Sequence, residues 1–457
     1  MEKAKLAGSF RDPDGFLFHR DGRLYRQINE RYQAEYELLM GSGLYDSLVR
    51  SGSLVPHEEA DISFAFSAGA CRVIRPEPVP FVSYPYEWCF SGLKSAALLT
   101  LDIERRALEA GMTLKDASSY NVQFRGCSPL FIDTLSFERY EEGRPWAAYR
   151  QFCQHFLAPL ALMSRTDVRL GSLMRIYLDG VPLDLAASLL PARTRLSFGL
   201  QTHIHIHSRY QRRYSQSGRS PGKGRMGKNA MLGLVDSLEG TVRKLSYHPA
   251  GTEWSDYYGD TNYTGESMKR KEALVSEFLG ALRPETVWDL GANTGRFSRI
   301  AAARCGLVVA FDVDPAAVER HFTDGASAAA GTILPLLLDL ANPSPGIGWA
   351  GEERSSIEER GPADAVLALA LLHHLAISNN LPFEDIAGYL ARLCRFLVIE
   401  FVPKEDSQVE RLLVTRKDIF DRYTKDHFEQ AFGALFTVER SEPIEGSGRV
   451  LYMMRRR

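Results

Sequence analysis

The segment TVWDLGANTG, residues 286–295, decides the fold of the C-terminal half of this 457-residue chain. A short apolar run ends near Asp289, and two glycines, Gly291 and Gly295, follow it before helical spacing begins at Arg296. Glycines let a chain turn tightly and approach a ligand closely, and in α/β folds the ligand lies at the carboxyl end of the strand. The spacing D-x-G-x-x-x-G differs from the G-x-G-x-x-G of dinucleotide-binding folds. The segment therefore predicts a strand, a ligand-binding glycine loop and a helix.

Four further strand-like runs follow this loop in order. They are LVVAFDVDP (307–315) with Asp312, ILPLLLDL (333–340) with Asp339 and Leu340, DAVLALALLHHL (364–375), and RFLVIEF (395–401) with Glu400. An acid at the end of the second strand can accept hydrogen bonds from both ribose hydroxyls of a nucleotide. Apolar runs that alternate with helical segments predict a parallel sheet covered by helices. Residues 434–438 and 449–454 predict a reversed hairpin at the edge of that sheet.

The order of these runs resembles the motifs of class I S-adenosylmethionine-dependent methyltransferases. The resemblance implies an α/β fold with a Rossmann-like, seven-stranded sheet flanked by helices, and S-adenosylmethionine as the cofactor. It also implies which residues bind that cofactor. The glycine loop would wrap the methionine part, Asp312 would bind the ribose, and Asp339 with Leu340 would lie at the adenine; the loop residues concerned are Asp289, Gly291, Asn293 and Gly295. An α/β domain with another ligand, or without activity, is the alternative.

Methyl transfer to a hydroxyl, a phenol or a ring carbon benefits from a base that takes the proton of the acceptor. His373 and His374 follow the fourth run, and histidine titrates near neutrality. One of the two is therefore a candidate base, unless it packs structurally and positions the backbone for the adenine. Glu400 is a second candidate base. No Asn/Asp-Pro-Pro-Tyr tetrapeptide follows the fourth run, which argues against methylation of adenine in DNA.

Residues 110–133 of the N-terminal half contain a second pattern. A helix, a glycine turn, Asp116 and Asn121 in a D-x-x-x-x-N spacing, a short strand and an apolar run ending at Asp133 follow one another. This order resembles the catalytic and metal-binding loops of protein-kinase-like folds. The resemblance implies that Asp116 is a base, and that Asn121 and Asp133 hold magnesium beside ATP.

The kinase-like pattern also departs from that family. Leu114-Lys115 replace the His-Arg before the catalytic Asp, and Thr134-Leu135 replace the Phe-Gly after the metal Asp. Arg26 stands where the nucleotide lysine is expected, and no clear glycine-rich phosphate loop is present. The polar residues could equally cap turns. We therefore expect this α+β half to bind the substrate or a partner, and ATP with magnesium only as an alternative.

Residues 203–229 form a basic segment without acids. The alternation of His203, His205 and His207 predicts an exposed strand end with the three rings on one side, and a metal site is the alternative. The basic run predicts a linker rather than a nucleic-acid-binding arm, although phosphate contacts are the other interpretation. Tyr257, Tyr258 and Tyr263, which follow it, could cover the cofactor or simply pack.

The composition indicates a soluble globular protein with 45% hydrophobic and 25% charged residues. The formal net charge of −2 gives no sign of a nucleic-acid partner, and no residue run has the length of a membrane span or a signal peptide. Six cysteines without a C-x-x-C pair favour reduced thiols and no metal site. We therefore expect a cytoplasmic protein.

The chain is predicted to contain an α+β N-terminal domain (1–200), a basic linker (201–250) and a methyltransferase domain (251–457). It loosely resembles bacterial two-part methyltransferases of the nodulation-protein kind. The leading hypothesis is methyl transfer to an O, N or C centre of a small molecule or glycoconjugate. A kinase-like phosphotransferase with an accessory methyltransferase fold, and a non-catalytic module that senses the cofactor or recruits a partner, are the alternatives.

Overall fold

The computed structural model describes residues 3–209, 225–249, 265–327, 331–414 and 417–457. Tyr257, Tyr258 and Tyr263 lie outside the described residues. The chain divides into two compact units. The N-terminal unit comprises Met1–His248 together with Gly348–Arg354, and the C-terminal unit comprises Pro249–Ile347 and Ser355–Arg457. None of the helices in the described ranges is long and apolar enough to cross a membrane.

The N-terminal unit begins with a five-stranded antiparallel sheet of order β1-β2-β3-β5-β4. Its strands are Lys3–Lys5 (β1), Gly15–Arg20 (β2), Arg23–Asn29 (β3), His57–Ala60 (β4) and Ala70–Pro76 (β5). β2 and β3 form a hairpin, in which Asp21 and Gly22 both have positive φ and close the two-residue turn. Two helices, Gln33–Gly41 (α1) and Leu44–Arg50 (α2), lie between β3 and β4 in the sequence.

The rest of the N-terminal unit is mainly helical. The long helix Phe90–Glu109 (α3) precedes two small strand pairs, Met112–Leu114 (β6) with Phe137–Arg139 (β9), and Val122–Arg125 (β7) with Ser128–Phe131 (β8). Short helices follow at Tyr149–Phe152 (α4), Ala158–Arg165 (α5), Leu173–Ile176 (α6), Leu183–Leu189 (α7) and Phe198–Leu200 (α8). Buried faces of α3 and α5 contribute to the core, where Leu101, Ile103 and Leu160 are fully buried.

The structure differs from the predicted linker and from the predicted histidine strand. Gln201–Ile206 forms a π-helix, and Lys228–Arg243 forms a regular helix (α9) with the buried residues Met231, Val235 and Leu238. The π-helix buries His203, which hydrogen-bonds to Tyr149 and Ser237 (2.8 and 2.9 Å). The alternating histidines suggested a strand. The segment is helical instead, and the His203 ring is held by hydrogen bonds to Tyr149 and Ser237.

The C-terminal unit contains a seven-stranded sheet of order β12-β11-β10-β13-β14-β16-β15. The strands are Thr286–Leu290 (β10), Leu307–Asp312 (β11), Ile333–Leu337 (β12), Ala363–Ala368 (β13), Cys394–Phe401 (β14), Phe436–Ile444 (β15) and Arg449–Arg456 (β16). The first five are parallel, and β16 is antiparallel to both β14 and β15. The predicted Rossmann-like sheet with a reversed edge hairpin is thus confirmed.

Helices cover both faces of this sheet. They are Gly265–Leu282 (α10), Arg296–Ala302 (α11), Pro315–Ser327 (α12), Phe383–Leu393 (α13), Ser407–Val414 (α14) and Lys425–Gly433 (α15). The central strands are buried on both sides, because successive residues point to opposite faces and the pairs Val308 and Val309, and Val366 and Leu367, are all 0% exposed. In register, Leu290 lies opposite Phe311 and Ala368, so β10, β11 and β13 end together. This common end places their following loops side by side.

Candidate cofactor site

The glycine loop after β10 has the backbone conformation that its sequence predicts. Gly291 and Gly295 have φ of +74° and +80°, and Asn293 between them has φ of +50°. A Cβ atom at Gly295 would overlap the ring of His321, so this position excludes any side chain. Gly291 has Leu371 beside it, 3.4 Å from where a Cβ would stand. The loop therefore depends on both glycines for its conformation, and on Gly295 also for space.

Asp312 at the end of β11 fixes the loop of the neighbouring strand. Its Oδ2 accepts a hydrogen bond from the backbone N–H of Asn293 (2.8 Å), and its Oδ1 accepts one from the N–H of Asp314 (2.9 Å). Burial raises the pKa of Asp312 to about 6. The carboxylate oxygens retain further lone pairs for hydroxyl donors, because each oxygen can accept more than one hydrogen bond.

Asp289 lies inside the sheet end and is almost fully buried. Its Oδ2 accepts a hydrogen bond from the Ser298 hydroxyl (2.6 Å), which belongs to the helix after the glycine loop. Burial raises the pKa of Asp289 to about 6, although the Ser298 hydrogen bond lowers it. Asp289 is therefore held in one orientation by the element that the loop leads into.

A cavity of about 270 Å³ opens at the common end of the strands. Six of the seven predicted cofactor residues line it: Asp289, Gly291, Asn293, Asp312, Asp339 and Leu340. Gly295 does not line it and instead begins α11 against His321. Asp339 is exposed and caps its own turn through the N–H of Ala341 (2.8 Å). One cavity thus collects the acidic ends of three neighbouring strands.

The two histidines after β13 have different surroundings. His374 lines the cavity and begins the π-helix His374–Ser378, whereas His373 is fully buried and does not line it. Neither ring nitrogen of His373 has a hydrogen-bond partner among the described residues. Burial lowers the pKa of His374 to about 4 and that of His373 well below its usual value. Both rings are therefore uncharged at neutral pH.

Glu400 lies behind the cavity, with no exposed surface. Its Oε2 accepts hydrogen bonds from Lys271 Nζ (2.6 Å) and from the backbone N–H of Ala370 (2.7 Å). Its Oε1 lies 3.5 Å from Arg449 Nη1. Both carboxylate oxygens of Glu400, the second predicted base, therefore face donors of the protein itself.

Several residues of the cavity were not predicted from the sequence. Met268, Lys271 and Phe297 line it from α10 and α11, and Ser378 and Asn379 line it from the end of the π-helix. Lys271 carried one usable signal: it shares the buried face of α10 with Met268 and Val275, at helical spacing. A lysine on an apolar helix face is uncommon unless it is paired. Burial lowers the pKa of Lys271, although Glu400 raises it.

The kinase-like residues of the N-terminal unit lie near one another. Asp133 forms an ion pair with Arg26 and hydrogen bonds with the Ser136 hydroxyl and the N–H of Leu135. Asn121 Nδ2 donates to Ser136 Oγ (3.0 Å). Burial raises the pKa of Asp133, but Arg26 and the hydrogen bonds bring it below its usual value. Both carboxylate oxygens of the predicted magnesium ligand thus already have protein donors.

Asp116, the predicted base of that pattern, accepts a hydrogen bond from the N–H of Ser118 (2.9 Å). Burial raises its pKa, and the negative charge of Asp133 does so further. Lys115 beside it pairs with Asp14. Within the described residues, no three His, Cys, Asp or Glu side chains gather as a metal ion would require. The kinase-like assignment of this unit stays a prediction.

Comparison with known proteins identifies the family over the whole length. The nodulation protein NoeA of Rhizobium meliloti (strain 1021) is 37% identical over 460 residues, which covers 99% of this chain and 96% of that protein. The chain belongs to the NoeA family. No protein-family model matches it. The family relationship therefore spans both units, including the N-terminal unit that the methyltransferase motifs do not explain.

Solved structures similar to the NoeA-family chain are methyltransferases. Magnesium protoporphyrin IX methyltransferase ChlM from Synechocystis PCC 6803, with bound SAH, is 18% identical, with 44% of this chain and 91% of that chain covered and a TM-score of 0.31. The N-methyltransferase NodS from Bradyrhizobium japonicum WM9 is 11% identical, with 42% and 97% covered and a TM-score of 0.30. The class I methyltransferase fold of the C-terminal unit follows from its own strand order and register.

Proposed function

We propose that this chain transfers a methyl group from S-adenosylmethionine to an O, N or C centre of a small molecule or glycoconjugate. One observation carries the proposal: Asp289, the glycine loop, Asp312 and Asp339 meet in one cavity at the common end of β10, β11 and β12. In open α/β sheets, ligands bind in the crevice outside the carboxyl ends of the strands. The chemistry of these groups suits a ligand with an amine, a ribose and a purine.

The residues present fit the proposed cofactor. Asp312 would accept hydrogen bonds from the ribose hydroxyls, and the loop at Gly291 would admit the methionine part because no Cβ stands in its way. Asp289 would face the amino group, and Asp339 with Leu340 would lie at the adenine. S-adenosylmethionine supplies an activated methyl group on a sulfonium, so positioning of the acceptor contributes much of the rate.

His374 is the base that the geometry favours for acceptors that lose a proton. It lines the cavity, and with its pKa lowered to about 4 it is uncharged at neutral pH and can accept a proton. His373 has no surface on the cavity, and Glu400 is held by Lys271 and Ala370. For acceptors that lose no proton in the rate-limiting step, His374 would only help to position the acceptor.

The acceptor class is proposed from the cavity and the family together. Beside the cofactor residues, the lining is largely apolar with a few polar groups, Lys271, Ser378 and Asn379 among them. Small-molecule sites commonly combine an apolar lining with a few placed polar groups. A relationship to a nodulation protein is compatible with a small-molecule or glycan acceptor.

Calorimetry with S-adenosylhomocysteine tests the proposal on the full chain. We expect binding by the unaltered protein and its loss in Asp312→Ala, because the ribose hydroxyls lose their acceptor. Asp324→Ala is the matched control, since Asp324 is an exposed acid in the same unit. A folded, unaltered protein that does not bind S-adenosylhomocysteine would overturn the proposal, and loss of binding in the control alone would relocate the site.

A further inference from the structure

Four charged side chains are buried together at the wall of the cavity, which Lys271 lines: Lys271, Glu400, Asp406 and Arg449, each at most 7% exposed. Lys271 donates to Glu400 (2.6 Å), and Arg449 binds Asp406 through Nε (2.7 Å) and Nη2 (3.0 Å). Arg449 Nη1 also reaches Glu400 (3.5 Å). The four residues, the buried charge cluster, come from α10, β14, the segment after β14 and β16.

Burial of charges is a poor way to stabilise a fold, because the loss of hydration offsets most of the attraction between the partners. Stabilisation of the fold therefore does not explain this cluster, and a further hydrogen bond of Glu400 indicates another role. Glu400 also accepts from the backbone N–H of Ala370 (2.7 Å), immediately beyond β13. The buried charge cluster thus also holds the main chain at Ala370.

Ala370 has an unfavourable backbone conformation, with φ of +52°. A residue with a Cβ occupies this left-handed region at a cost of about 1 kcal/mol or more, and such residues persist where their surroundings fix them. Leu369, Ala370 and Leu371 all line the cavity. Leu371 also lies against Gly291 of the glycine loop. The conformation of Ala370 therefore shapes the cavity wall beside that loop.

We propose that Glu400 is a positioning residue: supported by Lys271 and Arg449, it fixes Ala370 in the left-handed conformation that gives the cofactor cavity its shape. It does so through the 2.7 Å hydrogen bond to the Ala370 N–H. This role rests on the proposed function, because the cavity is the one assigned to S-adenosylmethionine. It replaces the predicted role of Glu400 as a base, which would require contact with the acceptor.

Glu400→Gln separates the two roles. In one orientation the amide of glutamine places its NH2 group against Lys271 and the Ala370 N–H, which both bind Oε2 of Glu400; in the other it places that group against Arg449, and in both the negative charge that holds the two cations is lost. We expect the affinity for S-adenosylhomocysteine in calorimetry to fall at least tenfold. A base acts on the acceptor and would leave that affinity unchanged.

The link through Ala370 has its own test. Glycine adopts positive φ without strain, so Ala370→Gly in the Glu400→Gln background should recover most of the lost affinity. Asn380→Gly in the same background is the matched control, since Asn380 also has positive φ (+56°) but does not line the cavity. Unchanged affinity in Glu400→Gln, or equal recovery with both glycine variants, would overturn the inference.

Hydrogen–deuterium exchange on the unaltered full chain tests the inference even if Glu400→Gln does not fold. The Ala370 amide should exchange as slowly as the amides inside β13, because it is hydrogen-bonded to the fully buried Glu400 carboxylate. Rapid exchange at Ala370 would contradict the positioning role while leaving the proposed function intact. Absence of S-adenosylhomocysteine binding by the unaltered protein would instead overturn the proposed function, and the inference with it.

Discussion

At the scale of single residues, Asp312 couples the cofactor site to pH. Its carboxylate is held by two backbone N–H groups, yet burial raises its pKa to about 6. In the proposed site the ionised form would accept hydrogen bonds from both ribose hydroxyls, whereas the protonated form would lose part of that capacity. Ligand binding should therefore favour the ionised form and weaken as the proton returns.

We expect the affinity for S-adenosylhomocysteine to be constant above about pH 7 and to fall below pH 6, by at most roughly tenfold per pH unit for one proton. Calorimetry at pH 7.5, 6.0 and 5.0 measures this. Asp312→Asn is the control: its weaker binding should lose the Asp312 part of the pH dependence and keep only the part due to Asp289, whose pKa is also raised to about 6. An unaltered protein with equal affinity at pH 7.5 and 5.0 would contradict the role of the Asp312 charge.

At the scale of elements, the sequence predicted the structure best where the residues of a motif are adjacent and their conformation has a local cause. The β10 strand, the glycine loop and α11 are adjacent in sequence, and positive φ at Gly291 and Gly295 is a local requirement. The strand ends at Asp312 and Asp339 are equally local. Because parallel strands of this fold end at one edge, six predicted residues arrive in one cavity.

Residues brought in by distant elements were not predictable in this way. Lys271 belongs to α10, which precedes the sheet in sequence, whereas its partner Glu400 belongs to β14, 129 residues later. Adjacent histidines could not be ranked either, because a π-helix begins at His374 and determines which ring reaches the cavity. The histidines at 203–207 were misassigned for a related reason: their alternation suits a strand, but Tyr149 and Ser237 bind His203 within a helical segment.

Asp133, between β8 and β9, forms an ion pair with Arg26, and the contribution of this pair to stability can be tested. We expect Asp133→Asn to lower the free energy of unfolding by about 3 kcal/mol, because Arg26 would stay largely buried without its anion. Asp46→Asn, an exposed acid on α2, is the control and should change stability by less than about 0.5 kcal/mol. Urea denaturation of the full chain measures both.

The same Asp133 contacts predict the response to ATP. Since both carboxylate oxygens already have protein donors, magnesium and ATP should not raise the melting temperature of the unaltered chain. A magnesium-dependent rise that Asp133→Asn abolishes would restore the kinase-like alternative for this unit. Asp46→Asn must then retain the rise, because its acid lies outside the pattern.

At the scale of the whole molecule, buried histidines set the response to acid. Burial lowers the pKa of His57, His155, His203, His321 and His374 to about 4, and that of His373 well below its usual value. In the unfolded chain these rings have a pKa near 6.5. Between pH 4 and 6.5 the unfolded state therefore binds more protons than the folded state, and stability rises with pH.

Buried carboxyls act in the opposite direction, three of them with large pKa shifts. Burial raises the pKa of Asp289 and Asp312 to about 6 and that of Glu104 to about 8, so the folded state holds protons that the unfolded state has released. Their contribution to stability is full below about pH 4 and is lost as pH rises through those values. Because six histidines oppose three carboxyls, the histidines dominate between pH 5 and 6.5.

We therefore expect the free energy of unfolding to be lower at pH 5.0 than at pH 6.5 by more than about 1.4 kcal/mol, the equivalent of one proton over one pH unit. Urea denaturation at both pH values measures it. His321→Gln should reduce the difference, since the buried His321 Nε2 has no hydrogen-bond partner among the described residues. His19→Gln, at an exposed position on β2, should leave it unchanged. Stability that stays level or rises towards pH 5.0 would mean that the buried carboxyls outweigh the histidines.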